Sequence, residues 1–167
     1  RPTPKPVVRL EVGVPEKEAS PTGWGTQPVI SPDGTRLAYV IWTSPTVRHL
    51  YLRTLDQLEE TLLAGTEEVE NPFFSPDGQW VAFFTHKKLK KVSVLGGAPL
   101  TLCDVTWGGC GGTWGTDGTI VFAPNPTGGL WRVSAAGGKV EELTKTDEAS
   151  KNPSHRWPQF LPDSKAV

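Results

Sequence analysis

Short apolar runs alternate with tight polar turns along the chain, and the clearest example lies near its centre. Asn-Pro-Phe-Phe at 71–74 precedes the turn Ser75-Pro76-Asp77-Gly78, and Trp-Val-Ala-Phe-Phe follows at 80–84. Proline presets the backbone angle at the second position of such a turn. Ser and Asp hydrogen-bond to nearby backbone, and Gly accepts a positive φ. The pattern predicts a β-hairpin.

The same turn recurs at a nearly constant interval. It is repeated as Ser-Pro-Asp-Gly at 31–34 and in weaker form at 115–118 and 161–164, so Asp33, Asp77, Asp117 and Asp163 lie 44, 40 and 46 residues apart. Three leucine pairs, at 50 and 63, 89 and 102, and 130 and 143, keep an interval of 13 residues. A repeat of this length is typical of stacked units or propeller blades.

Each unit holds two hairpins, and hence about four short strands. In the middle unit we predict strands at about 71–74, 79–85, 88–95 and 98–103. The second strand of each unit is apolar throughout, which is typical of a strand buried on both faces. No window shows helical periodicity. The sequence therefore predicts an all-β fold, a β-propeller of four-stranded antiparallel blades.

The repeat resembles the TolB-like, or WD-like, propeller family, whose mark is Ser-Pro-Asp-Gly between two hydrophobic strands. The resemblance covers the chain from about residue 23 onward. The runs at 88–94, 111–115 and 154–160 are most similar to the C-terminal propellers of bacterial serine/threonine protein kinases. This resemblance implies a periplasmic or extracytoplasmic location. TolB-like repeats also occur in translocation proteins and in front of prolyl-oligopeptidase-type hydrolase domains.

The domain organisation follows from the repeat. Three alternating prolines at 1–6 predict an extended linker, and 7–167 is the expected propeller segment. Its predicted parts are a strand at 7–14, blades at roughly 24–66, 67–106 and 107–147, and a partial blade at 153–167. This amounts to about three and a half blades. Since the chain lacks methionine and stops in mid-blade, we expect it to be a piece of something larger.

An open arc of this kind would leave two apolar blade faces in water, and such faces are usually covered by a partner. We therefore expect a homodimer that closes the ring by two-fold symmetry. In this arrangement, strand 7–14 of one chain completes the blade begun at 155–167 of the other.

Composition narrows the function further. The 167 residues carry a net charge of −1 and are 37% hydrophobic, as in a soluble globular domain. A near-neutral charge argues against nucleic acid as a main partner, and no apolar stretch is long enough for a membrane span. The basic cluster at 87–91 is either a solvated strand or a contact for an anionic partner.

The candidate chemistry is sparse. Cys103 and Cys110 are free thiols or a disulfide, and their spacing fits a zinc site poorly. The three histidines are far apart, and no Gly-x-Ser-x-Gly elbow is present. The glycine run at 108–112 enters a strand, so it lacks the helix of a phosphate cradle. We predict no catalytic residue, cofactor or protein-ligated metal. The sequence does not decide whether a calcium ion binds in the channel, because its ligands could be backbone carbonyls.

Five residues in loops near the predicted channel are the best candidates for partner binding, because tryptophan is enriched at binding hot spots. They are Trp24, Trp107, His155, Arg156 and Trp157. The alternative for each is a role in packing or capping. Trp114 and Trp157 are expected to occupy corresponding positions and to pack the inner strands. The leading hypothesis is a non-enzymatic module that binds a protein, peptide or ligand, as a sensor or docking scaffold. The alternative is the accessory propeller of a prolyl-oligopeptidase-type peptidase.

Overall fold

A computed structural model of the chain describes residues 28–147, 154–161 and 166–167. Twelve strands and no helix occur in these residues, forming three four-stranded antiparallel sheets. The first sheet contains β1 (Val29–Ile30), β2 (Arg36–Trp42), β3 (Arg48–Thr54) and β4 (Glu60–Leu62). The second contains β5 (Glu70–Phe74), β6 (Trp80–Phe84), β7 (Lys88–Ser93) and β8 (Leu100–Asp104). The third contains β9 (Gly112–Trp114), β10 (Thr119–Phe122), β11 (Trp131–Ser134) and β12 (Glu141–Glu142).

Each sheet is one propeller blade, with its strands hydrogen-bonded in chain order. We call the sheets blades 1, 2 and 3. The predicted all-β propeller fold with four-stranded antiparallel blades is confirmed. In blade 2 each strand begins and ends within two residues of the predicted bounds. The predicted linker at 1–6 and strand at 7–14 lie outside the described residues.

The Ser-Pro-Asp-Gly turn is held by hydrogen bonds from its own side chains. Ser75 Oγ donates to Asp77 Oδ1 (2.5 Å) and accepts the Trp80 N–H (2.9 Å). Asp77 Oδ1 also accepts the Gln79 N–H (3.0 Å), and Gly78 takes φ +66°. Blade 1 repeats the Ser–Asp bond with Ser31 and Asp33. These bonds stabilise the charged carboxylate. They lower the pKa of Asp33 to about 2 and also lower that of Asp77.

The third turn has Gly115 where the first two have serine. A Cβ atom at Gly115 would lie 2.8 Å from Asp117 Oδ1 and 3.1 Å from the ring of Phe160. The glycine therefore makes room for the aromatic ring of the segment that follows blade 3.

The two largest parts of the core are inter-blade layers that share the second strand of blade 2. Side chains of β6 alternate between the layers: Val81 and Phe83 pack toward blade 1, and Ala82 and Phe84 toward blade 3. All four are fully buried. The prediction that these apolar strands are buried on both faces is confirmed.

The expectation that two blade faces lie in water is wrong for the described residues. On the outer face of blade 1, Leu37, Tyr39 and Ile41 are at most 8% exposed. On the outer face of blade 3, Val121, Ala123 and Leu130 are equally buried, and Phe160 packs against them. At blade 3 part of the cover comes from Phe160, whose N–H donates to Thr113 Oγ1 of β9.

The basic cluster at 87–91 does not form one patch. Lys90 lies on the β7 face toward blade 1, whereas Lys91, opposite Ala82, lies on the face toward blade 3. Lys88 pairs with Asp104 (2.8 Å) across the blade. Alternation along the strand thus separates the charges. The described part of the chain contains no helix with the length and apolar character needed to cross a bilayer.

Candidate functional site

The inner strands β1, β5 and β9 lie side by side and line two adjoining cavities of about 550 and 380 Å³. Val29, Phe73, Gly112 and Gln159 border both cavities. The larger one lies where the inner strands begin, which we call the loop end. The smaller one lies toward the Ser-Pro-Asp-Gly turns, which we call the turn end. Together the two cavities form the channel groove.

The channel groove is lined by apolar and uncharged groups. None of the described residues that border it carries a charged side chain. Two side-chain amides, Asn71 and Gln159, lie among prolines, Phe73 and Trp157. Such a surface favours an apolar segment whose polar groups hydrogen-bond to amides and backbone.

A left-handed kink marks the beginning of the inner strands. Asn71, Gly111 and Trp157 each lie six residues before a turn aspartate, and their φ angles are +45°, +88° and +56°. For a bulky residue this conformation costs about 1 to 3 kcal/mol and is concentrated at functional sites. The chain thus holds a tryptophan in a strained conformation at the mouth of the groove.

The predicted equivalence of Trp114 and Trp157 is wrong. Trp114 lies three residues before Asp117, so it corresponds to Phe160 rather than to Trp157. Trp114 is half-buried against the core between blades 2 and 3, whereas Trp157 is 64% exposed. The two tryptophans therefore have different surroundings, one in an inter-blade seam and one at the loop end.

Blade 3 holds the segment 154–160 in place through several polar contacts. The Trp157 N–H donates to the Cys110 carbonyl (2.9 Å), and the Phe160 N–H donates to Thr113 Oγ1 (3.2 Å). The His155 N–H donates to the Gly128 carbonyl (2.9 Å), and its Nδ1 lies 2.7 Å from Thr144 Oγ1. His155 thus attaches segment 154–160 to blade 3, and it does not border the groove.

The glycine-rich loop at 107–111 is the other support of the loop end. Asn71 Nδ2 donates to the Gly109 carbonyl (3.0 Å). Side chains at the glycines would clash, since a Cβ would lie 2.4 Å from the Phe84 ring at Gly109 and 1.7 Å from Glu70 Oε2 at Gly108. Gly109 also takes φ +68°, a conformation that glycine adopts without strain. Glycine is therefore needed at 108 and 109 because the packing leaves no room for a side chain.

An ion pair at the loop end was missed by the sequence analysis. Arg48 donates to the Glu70 carboxylate, and its guanidinium lies 4.9 Å from the centroid of the Trp42 ring. Both partners are partly buried, with side chains 18% and 29% exposed. The pair joins blade 1 to the first residue of β5. Its members are 22 residues apart and carry no motif, so only the repeat register could have suggested their proximity.

Both cysteines are free thiols. Cys103 is buried in the core, and burial raises its pKa to about 11. Burial also raises the pKa of Cys110, and the nearby charge of Arg156 opposes that shift. Neither thiol is therefore activated as a nucleophile. Among the described residues, no three His, Cys, Asp or Glu side chains are grouped as metal ligands.

The structure describes four of the five candidate binding residues, and they have different surroundings. Trp24 lies outside the described residues. Trp107 is 62% exposed and contacts His86 edge-on at 6.5 Å between ring centroids, away from the groove lining. His155 and Arg156 are exposed beside the groove. Of the four described candidates, only Trp157 borders the groove. Asn71 and Gln159 also border it, although the sequence did not single them out.

No family model and no curated protein sequence matches the chain. Solved structures do match. A TolB-type protein of Agrobacterium tumefaciens superposes with a TM-score of 0.61 at 21% identity, covering 81% of this chain and 54% of that one. The fold is that of a β-propeller.

Two further propeller structures support this assignment. The propeller domain of the Trilobed protease from Pyrococcus furiosus has a TM-score of 0.56 at 14% identity, covering 73% of this chain and 42% of that one. TolB from Acinetobacter baumannii has a TM-score of 0.55 at 19% identity, covering 70% and 31%. The chain thus spans about half, or less, of the length of these structures.

Proposed function

We propose that this propeller segment is a non-enzymatic interaction module whose channel groove binds an extended segment of a partner protein or peptide. The observation that carries the proposal is the placement of Trp157. This tryptophan is 64% exposed, takes φ +56° and borders a cavity of about 550 Å³. A large aromatic side chain on a fixed backbone at the rim of an apolar groove supplies contact area at a low entropic penalty.

Backbone geometry supports an extended ligand. Among the described strands, β1, β5 and β9 are the end strands of their sheets, so each is hydrogen-bonded to another described strand along one edge only. The other edge leaves N–H and C=O groups to pair with an added chain. The amides of Asn71 and Gln159 add donors and acceptors beside these edges. No charged side chain among the described lining residues competes with an uncharged peptide.

A selection of random peptides displayed on phage, with the immobilised protein as bait, tests this proposal. Enriched peptides are expected to bind the unaltered chain and to lose affinity for the variants Trp157→Ala and Gln159→Ala. Binding that neither substitution affects would place the site elsewhere and refute the proposal.

The second part of the proposal concerns the cellular compartment of this module and the kind of protein to which it belongs. The runs at 88–94, 111–115 and 154–160 are similar to the propellers of bacterial serine/threonine kinases, which favours a role as an extracytoplasmic sensor or docking domain. Fractionation of cells that express the native gene tests this part. Recovery of the protein from the cytoplasm would contradict it.

The alternative function is that of an accessory propeller in a prolyl-oligopeptidase-type peptidase, where it restricts access to a separate catalytic domain. The similarity to the propeller domain of a protease favours this alternative. Reading the native coding frame separates the two functions. A hydrolase region downstream supports the peptidase, and a kinase region with a membrane helix upstream supports the sensor.

We also propose that two copies close one ring. The described residues form three blades, and Phe160, from the segment that follows blade 3, packs against that blade. Closed propellers have about four to eight blades, and two-fold dimers are the commonest oligomers. Light scattering across a concentration series is expected to give a mass near twice 18.1 kDa. A folded monomer throughout the series would refute the dimer.

A further inference from the structure

In the seam between blades 2 and 3, the ammonium group of one lysine lies over two indole rings. The ammonium nitrogen of Lys91 lies 4.5 Å from the centroid of the Trp80 ring and 5.9 Å from that of Trp114. Both distances are within the range of about 6 Å at which a cation is attracted to an aromatic face. The rings come from different blades, so the cation joins the blades at their turn end.

Strand register explains how the three side chains meet. Lys91 is directly opposite Ala82 on the neighbouring strand, and Trp80 is two residues before Ala82, so Trp80 and Lys91 are diagonal neighbours on one face. That face packs toward blade 3, where Trp114 ends β9. All three side chains are half-buried.

No carboxylate neutralises this lysine within the described residues. Lys88, on the same strand, pairs with Asp104, and Lys139 and Arg132 pair with Glu141. Lys91 has the two indole faces instead. A site with aromatic walls and no anionic ligand favours a weakly hydrated cation, and the preferred ligands of such sites are alkylated ammonium groups.

We propose that Trp80 and Trp114 form a binding site for an alkylammonium cation, which the side chain of Lys91 occupies in this structure. Lys91 is then a tethered competitor. Since a short tether gives an effective concentration on the order of millimolar or more, an external ligand must displace the lysine, and its apparent affinity is reduced. Removing the lysine amine vacates the site.

The experiment titrates tetramethylammonium chloride into the unaltered chain, Lys91→Ala and Lys90→Ala, with tryptophan fluorescence as the signal. Lys90 is the matched control, because it lies on the same strand but on the opposite face. Sodium chloride controls for ionic strength. Neopentyl alcohol, a neutral molecule of similar shape, controls for the charge.

Lys91→Ala is expected to bind tetramethylammonium saturably and at least about tenfold more tightly than the unaltered chain, because the ligand no longer has to displace a tethered ammonium group. Lys90→Ala should behave like the unaltered chain. The proposal is overturned if folded Lys91→Ala shows no saturable binding, or if neopentyl alcohol binds equally well.

A second measurement needs no substitution at Lys91. Reductive methylation with ¹³C-formaldehyde converts the lysines to dimethylammonium groups that retain their charge. Ring currents should shift the methyl resonance of Lys91 upfield from that of Lys90, and Trp80→Ala should reduce the shift. Equal resonances for Lys90 and Lys91 in the folded chain would overturn the proposal.

Discussion

The backbone N–H of Trp157 donates to the carbonyl of Cys110 across 2.9 Å, next to a glycine that has no space for a side chain. At Gly111 a Cβ atom would lie 2.5 Å from Trp157 Cε3. The hydrogen bond and the close contact together fix the strained backbone of Trp157 at the mouth of the channel groove. The position of the ring is therefore determined by blade 3.

Trp157→Ala should weaken peptide binding with little effect on stability. The ring is 64% exposed, so its removal creates no core cavity, whereas loss of a hot-spot tryptophan costs about 2 kcal/mol or more of binding free energy. A selected peptide should therefore bind at least about tenfold more weakly in calorimetry. Trp107→Ala is the matched control, since Trp107 is 62% exposed but does not border the groove. Equal losses in both variants would contradict this assignment.

Gly111→Ala should destabilise the fold more than Gly96→Ala. The two glycines have nearly the same φ, +88° and +90°, so both substitutions incur the left-handed penalty of about 1 to 2 kcal/mol. At Gly96 nothing lies within 4 Å of a new Cβ, whereas at Gly111 the Cβ meets Trp157. Overpacking should add about 1 to 3 kcal/mol. Urea unfolding of the two variants measures the difference, and equal midpoints would show that Trp157 yields freely.

Ser75→Ala should destabilise the chain by about 1 kcal/mol, because it leaves the part-buried N–H of Trp80 without its acceptor. Ser75 is 2% exposed, and its hydroxyl accepts the Trp80 N–H and donates to Asp77. The pKa of Asp77 should rise toward its ordinary value of 3.8 in the variant, measurable by NMR titration. Ser134→Ala, at an exposed serine, provides the control. An unchanged urea midpoint in Ser75→Ala would show that the turn does not need this hydroxyl.

Acid should weaken the fold through the turn aspartates. The hydrogen bonds from Ser31 and Thr35 lower the pKa of Asp33 in the folded chain to about 2, below its ordinary value of 3.8. A depressed folded pKa contributes stability that is fully present above pH 3.8 and is lost as the pH falls through about 2. The pKa values of Asp77 and Asp117 are shifted in the same direction. The urea midpoint should therefore fall over this window.

The triple variant Asp33→Asn, Asp77→Asn and Asp117→Asn is the control for the pH effect. Asparagine retains the size of the side chain and does not titrate in this range, so the fall in midpoint below pH 4 should become shallower. An equally steep fall in the triple variant would assign the acid sensitivity to other carboxylates.

The blades could be predicted from sequence because their determinants are local. A Ser-Pro-Asp-Gly turn specifies its own hydrogen bonds, and a uniformly apolar run such as 81–84 indicates burial on both faces. The nearly constant spacing of the turns then gives the length of the repeating unit. These features depend on residues a few positions apart, and the structure reproduces them closely.

The functional site was harder to predict because its geometry depends on distant residues. Tryptophan has no preference for a positive φ, so nothing in the sequence around Trp157 signals the kink. Only alignment on the turn aspartates shows that Trp157 corresponds to Asn71 and Gly111. Likewise, Arg48 and Glu70 pair across two blades, and Lys91 meets Trp114 through register. Local sequence does not encode such contacts.

Hydrogen–deuterium exchange with and without a selected peptide tests the central claim most directly. Binding in the channel groove should slow exchange in β5 and β9 and in residues 157–160, because their free edges and loops would be covered. The outer strands β4, β8 and β12 should exchange as before. Protection confined to those outer strands, with the groove unchanged, would contradict the claim that this propeller segment recognises its partner through the channel.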